Sequence, residues 1–336
     1  MELLEKRNDL ELYRLDGSNG AFVEILNYGA RVHRLFVPDK NGNLINVVAG
    51  FDDIEGYKGE NPYFNATIGR VSNRQRNARF TLDGVEYKLN PNENGVTHLH
   101  GGFKGFDRRL FKANIVGDKL EFYYVSADGE ENYPGELSLK VTYSFTKDNS
   151  LNIVFEASAT KDTPVSITNH SYFNLSGNFD KKIFDTELFV NSHRSTDFDD
   201  DLLITGNISD VSGTAYDFRT PRTIGSRMFE DVHSLKTIGG YDTNYILDEG
   251  DVAATAYCKE SGIKLTVVCT SPCLQFYTGN FLDGLQGRTK YYIHSAFCLE
   301  PQEYPDAQNV PAFPSSVLKA GDKYYRAMSY RFSVEK

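Results

Sequence analysis

Histidine is scarce in this chain, seven in 336 residues, so each placement carries information. His170 lies in Thr168-Asn169-His170-Ser171-Tyr172-Phe173-Asn174, which leaves a strand-like run and ends in the loop residues Ser176-Gly177. An imidazole titrates near neutrality and passes a proton in either direction. A second pair sits in Thr97-His98-Leu99-His100-Gly101-Gly102. On a strand, positions two apart share a face, so His98 and His100 have the spacing of two metal ligands, with a third to come from elsewhere; the plainer reading is a strand end whose histidines hydrogen-bond to neighbours. Near the other end, Phe297-Cys298-Leu299-Glu300-Pro301-Gln302 sets a carboxylate in an apolar run. Desolvation there raises the pKa of Glu300 and makes it a better base, although the segment alone favours a glutamate at a strand end pointing to water.

Two further pieces are polar. Arg74 follows Asn73 in a Gly-flanked stretch, and Asp242 comes straight after Gly239-Gly240-Tyr241. Arginine offers five donors and aspartate two acceptor oxygens, which suits recognition of hydroxyl groups, and each segment reads equally well as a surface turn. Cys269-x-x-x-Cys273 is a loose metal spacing.

The elements that must position these groups are strands. FVEILNYGARVHRLFV (22–37), LEFYYVSA (120–127), LSLKVTYSF (137–145), LNIVFEASA (151–159) and IKLTVVCT (263–270) are rich in β-branched and aromatic residues that mostly alternate with polar ones. Asp83-Gly84 between ARFTL and VEYKL spells a two-residue hairpin turn, and TKDNS joins two more patterned runs. Helical periodicity is nearly absent; the best helix is SRMFEDVHS (226–234). No repeat, linker or strand-helix alternation divides the chain, which predicts an all-β fold, one large antiparallel sandwich over 1–336 as a single domain.

Composition bounds the partners. A net charge of -10 disfavours phosphate backbones and anionic lipid, so neither nucleic acid nor a membrane is an expected partner. The charged start MELLEKRNDLELYRL has no apolar signal core, and no run of about eighteen apolar residues follows, so the expected compartment is the cytoplasm. Cys258, Cys269, Cys273 and Cys298 all fall in the last third, three beside apolar neighbours, as buried reduced thiols do.

Taken together, NPYFNATIGRVSNR, FTLDGVEYKLN, HLHGGFKGFDRR, NHSYFNLSG, GGYDTNY, LQFYTGNFLDG and FCLEPQEYPDAQNVPAFPSSVLKAGDKYY occur in the order seen in aldose 1-epimerases, also called galactose mutarotases. The chain resembles that family over nearly its whole length. The resemblance implies a large antiparallel β-sandwich, Glu300 as general base, His170 as general acid, and Arg74, His100 and Asp242 as sugar-holding residues, with no role for His98. It implies no cofactor and no metal, and a free monosaccharide such as galactose or glucose as partner. The chemistry is coherent: removing the C1 hydroxyl proton while protonating the ring oxygen opens the ring, and rotation about C1–C2 lets it reclose from the other face. Departures from the family pattern are Asn65, where glycine is common, Gln75 after Asn-Arg, Pro301 beside Glu300, and a proline missing before Thr205-Gly206. Three rival readings remain: a two-carboxylate glycoside hydrolase using Glu300 with Asp242, a hexose-phosphate epimerase using Arg108-Arg109 or Arg74-Gln75-Arg76, and a non-catalytic sugar-binding sandwich.

Overall fold

The computed structural model describes residues 1–230 and 232–335. Three antiparallel sheets carry the fold. A meander of five strands runs from Glu2–Arg7 to Leu44–Asn46. A nine-stranded sheet has Leu137–Phe145, Ser150–Ala159, Lys323–Val334 and Ile263–Cys269 side by side at its middle, and a six-stranded sheet has the order Tyr172–Phe173, Phe297–Gln302, Cys273–Tyr277, Asp242–Ile246, Arg194–Phe198, Ile204–Asp210.

Local chemistry explains the strand limits. The apolar run over 22–37 folds as two strands, Phe22–Leu26 and Arg31–Pro38, because Gly29 and Ala30 take positive φ angles of 75° and 39° and turn the chain back. Arg79–Leu82 and Val85–Lys88 pair with Leu82 opposite Val85, and Asp83 (φ 50°) and Gly84 (φ 79°) supply the two left-handed residues of a type I′ turn. The second hairpin pairs Phe145 with Leu151 across the polar loop.

The expected helix over 226–234 is a correction. Ile224–Ser226 is a single 3₁₀ turn, and the α-helix is His233–Ile238, closed by Gly239 at φ 70°; Asp231, inside the expected range, lies outside the described residues. The Gly239 cap and the inward pair Leu235 and Ile238, three apart, set the helix later than the expected 226–234.

One hydrophobic core joins the sheets, from Tyr13 and Val32 of the meander through Phe155 and Val267 of the nine-stranded sheet to Phe276 and Leu299 of the six-stranded one. The six-stranded sheet therefore gives one face to the core. In Phe297–Gln302 the core side is Phe297 and Leu299, and period two sends Cys298, Glu300 and Gln302 to the opposite face. Glu300 faces Gln275 and Cys298 faces Tyr277 on the next strand, which in turn sets Gln275 opposite Asn244 and Tyr277 opposite Asp242. Pro301 sits opposite Leu274 with the register intact, so it leaves the backbone of Glu300 in the strand.

His98 and His100 do not share a strand face. The short strand ends at Leu99, and His100, Gly101 and Gly102 all take positive φ (52°, 89° and 99°), which breaks the alternation. His98 is fully buried, with Nδ1 2.8 Å from the Asn90 carbonyl and Nε2 2.8 Å from the Tyr133 hydroxyl, so both ring nitrogens are occupied within the protein. Burial pushes its pKa down to about 4. The unfolded chain takes up this proton near pH 6.5 and the folded one only near 4, so this contribution to stability is complete above 6.5 and fades as pH falls. The stability advantage of the wild type over His98→Gln is therefore expected to shrink by about 1.4 kcal/mol per pH unit between about pH 6.5 and 4. Denaturant titrations of both proteins across that range check this; an advantage that does not change with pH would refute it.

Candidate active site

The polar face of the six-stranded sheet forms the floor of a cavity of about 230 Å³, and Arg74, His100, His170, Asp242 and Glu300 all line it. The five residues singled out from sequence thus come together from segments far apart in the chain. Neither Arg74 nor Asp242 is a surface turn, each side chain being 11% exposed.

Glu300 is 2% exposed, which overturns the reading of a glutamate pointing to water. Burial, with the Asp242 charge adding to it, holds its carboxyl well above the ordinary glutamate range. His170 Nε2 lies 3.6 Å from Glu300 Oε1, and its Nδ1 lies 3.5 Å from the Cys298 thiol. Burial pushes the imidazole down to about 3. The ring stacks on Tyr172 at 4.9 Å, and its backbone is fixed on both sides, donating to Ala66 O and accepting from Asn65 N, each at 3.0 Å.

Asn65 explains a departure from the family pattern. Its φ of 56° is the left-handed region that favours glycine, and asparagine is among the side chains that tolerate it. The amide is then used: Oδ1 accepts from Tyr172 N at 3.0 Å and Nδ2 donates to Ala49 O. The other amides of Asn-His-Ser-Tyr-Phe-Asn are scaffold too, Asn169 donating to Asn65 O and Asn174 to three loop carbonyls.

His100 accepts from Asn73 N on Nδ1 at 3.1 Å, so as the neutral tautomer it carries its proton on Nε2 and is a donor. Burial first, and then the neighbouring His170, holds it neutral. Arg74 is clamped: Nε and Nη2 donate to the two oxygens of Glu93 at 2.8 and 2.9 Å, and Nη1 lies 3.5 Å from Asp242 Oδ2. Burial acts to lower the guanidinium pKa, and the two carboxylates outweigh it. Gln275 donates to Asp242 Oδ1 at 2.6 Å while its own Oε1 accepts from Asn73 and Gln302. One titratable pair and a ring of fixed donors and acceptors face the same small cavity.

That arrangement has known relatives. The family model described as aldose 1-epimerase matches residues 11–331. The chain belongs to the aldose 1-epimerase family. The galactose mutarotase of Bos taurus is 43% identical over 318 residues, covering 93% of this chain and 91% of that protein, and the aldose 1-epimerase of Escherichia coli is 32% identical over 333 residues, covering 96% and 95%. A solved structure of galactose 1-epimerase from Lactobacillus acidophilus superposes with a TM-score of 0.88 at 25% identity, over 100% of this chain and 98% of that one. This chain is an aldose 1-epimerase, an isomerase, on a galactose mutarotase-like all-β fold.

Sequence reasoning did not single out Glu93, Gln275 or Cys298. Gln275 and Cys298 carried a signal, since each sits in an apolar strand at even spacing from a polar neighbour. Glu93 carried none, because it meets Arg74 only once the loop ahead of His98–Leu99 is brought beside Arg74–Gln75 by strand pairing. With Glu93 neutralised, the Arg74 fork is free to turn onto Asp242 and cover the acceptors that a ligand needs. Glu93→Gln is therefore expected to raise KM for the aldose about ten- to a hundredfold, the worth of one or two charge-assisted hydrogen bonds, with kcat changed little. Steady-state polarimetry checks this, and a collapse of kcat at constant KM would refute it.

Proposed function

We propose that the protein interconverts the α and β anomers of a free hexose, galactose or glucose, with Glu300 as general base, His170 as general acid, and Arg74, His100 and Asp242 holding the ring hydroxyls. The observation that carries this is the buried pair itself, Glu300 and His170 at 3.6 Å in the cavity wall. The carboxyl is pushed up and the imidazole down, so burial favours the arrangement with the proton on Glu300 and a neutral His170.

One proton is what the reaction needs. In the closed-ring complex Glu300 is ionised and accepts from the C1 hydroxyl, while His170 is protonated and donates to the ring oxygen. Ring opening moves one proton onto Glu300 and one off His170, leaving both neutral. That is the arrangement burial favours in the empty site, so the low-polarity wall stabilises the pair at the stage when the aldehyde is open. Reclosure on the other face of C1 runs the same transfers backwards, and each group contributes roughly a hundred- to ten-thousandfold.

The cavity supports a free sugar over its rivals. At about 230 Å³ it is smaller than the roughly 300–1,000 Å³ of drug-sized ligand sites, as fits a monosaccharide. Among the described residues Arg74 is the only arginine or lysine lining it, and Arg76, Arg108 and Arg109 each face a carboxylate elsewhere, at 2.8, 3.7 and 3.2 Å, so a phosphate has no cluster to bind. Asp242, the second carboxylate a hydrolase would use, is engaged by Arg74 and Gln275.

Two measurements test the roles. The pair gains its second proton only when His170, held near 3, is protonated, and GluH with imidazolium has no base; activity is thus lost as pH falls far below the ordinary histidine value. We expect kcat/KM to show no acid limb near pH 6.5, the unperturbed histidine pKa, whereas an acid limb centred there would remove His170 from the pair. The second uses a capped sugar. Methyl galactoside has no C1 hydroxyl proton, so it is expected to inhibit without turnover, while His170→Asn lowers kcat on free galactose at least about a hundredfold with KM nearly unchanged. Release of methanol, lost in Asp242→Asn, would establish a hydrolase instead.

A further inference from the structure

The thiol of Cys298 takes no part in these proton transfers, yet it is fully buried beside them. Its Sγ is 3.5 Å from His170 Nδ1, and Nε2 of the same ring is 3.6 Å from Glu300 Oε1. Cys298 and Glu300 are two apart on Phe297–Gln302 and project from one face of the strand. One nitrogen, one sulfur and one carboxylate oxygen therefore lie within 4.8 Å of one another, and among the described residues this is the only group of three such donors. The two short distances are to different ring nitrogens, and one ion takes only one of them. Zinc bound tetrahedrally at about 2.0–2.3 Å spaces donors about 3.3–3.6 Å apart, so the Cys298 and Glu300 side chains must rotate toward a single nitrogen to close the set.

We propose that this cluster is an inhibitory site for zinc and similar thiophilic divalent cations, which join Cys298 to His170 and Glu300 and keep the sugar out. The donor set is the borderline-soft one that zinc selects, and the fourth position falls on the cavity, where water completes the tetrahedron. Charge balances in place: a divalent cation with one thiolate and one carboxylate is neutral, so a buried site acquires no net charge. Binding sends the thiol proton and the Glu300 proton to solvent, and His170 ligates as the neutral imidazole. Magnesium and calcium, which require six or more oxygen ligands, find one carboxylate here and are not held. The metal reaches the cluster through the cavity that His170 and Glu300 line.

Only the effect on activity rests on the acid-base reading; metal binding is read separately. In metal-free protein, zinc is expected to inhibit mutarotation competitively with the aldose and reversibly by chelator, with magnesium at the same concentration inert. Cobalt(II) added to the wild type should give a thiolate-to-metal charge-transfer band in the near ultraviolet, displaced by sugar. Cys298→Ser and Cys298→Ala, which keep Cys258, Cys269 and Cys273, should lose the band. Both should weaken zinc binding by at least about a hundredfold, since losing even a partner behind a metal ligand costs about ten- to a hundredfold. Two variants guard against one that fails to fold. A band that survives in both, equal zinc affinity in wild type and variants, or no zinc binding to the wild type by calorimetry overturns the site. A band lost with Cys298 in a protein without mutarotase activity would leave the site standing and remove the acid-base reading.

Discussion

The site depends on a sheet face that is stripped of water without being given an apolar cover. Phe297–Gln302 and Cys273–Tyr277 are buried on both sides, one by the core and one by loops that close over the cavity. Every polar side chain on the second side must then be satisfied by another, because a buried unpaired group costs about 1–3 kcal/mol. The result is a chain of amides and hydroxyls: Ser166 with Ser72, Ser72 with Gln302, Gln302 with Asn244 and Gln275, and Gln275 with Asn73 and Asp242. Each link fixes the orientation of the next, so Asp242 is held by strand register and hydrogen bonds together, and Glu300 by its place in the strand opposite Gln275. Precision of this kind is what acid-base chemistry on a small substrate requires.

The same double burial decides what was legible in the sequence. Strands with one wet face, such as Leu137–Phe145 with its alternating burial, announce themselves by period two, and the Asp83-Gly84 turn is fixed by its own backbone preference. Phe297–Gln302 shows no such alternation against solvent, so nothing local distinguishes a buried glutamate from an exposed one. Glu300 became readable only through the motif around it. The histidine pair failed for the opposite reason: His98-x-His100 has strand spacing, and a left-handed backbone at His100 sends the two rings to different tasks. Asn65 looked like a departure from the family; it takes a left-handed conformation that favours glycine and adds its amide to the scaffold behind His170.

A mutarotase must treat two products alike, and this constrains how it holds its substrate. C1 has to turn between opening and closing while the rest of the sugar stays, so under the proposed roles the fixed contacts belong at the far hydroxyls and the mobile end belongs at Glu300 and His170. The cavity is built with that asymmetry. Arg74 is locked between Glu93 and Asp242, and His100 is pinned by Asn73. Glu300 and His170 instead face each other at 3.6 Å, beyond hydrogen-bond length, so neither is committed to the other. A tighter pair would keep its proton inside the protein, and a wider one would leave the carboxyl and the imidazole unable to reach the C1 hydroxyl and the ring oxygen of one sugar at once. In the proposed mechanism the uncommitted spacing leaves both groups free to engage whichever anomer arrives, and the forward and reverse proton transfers are chemically the same step.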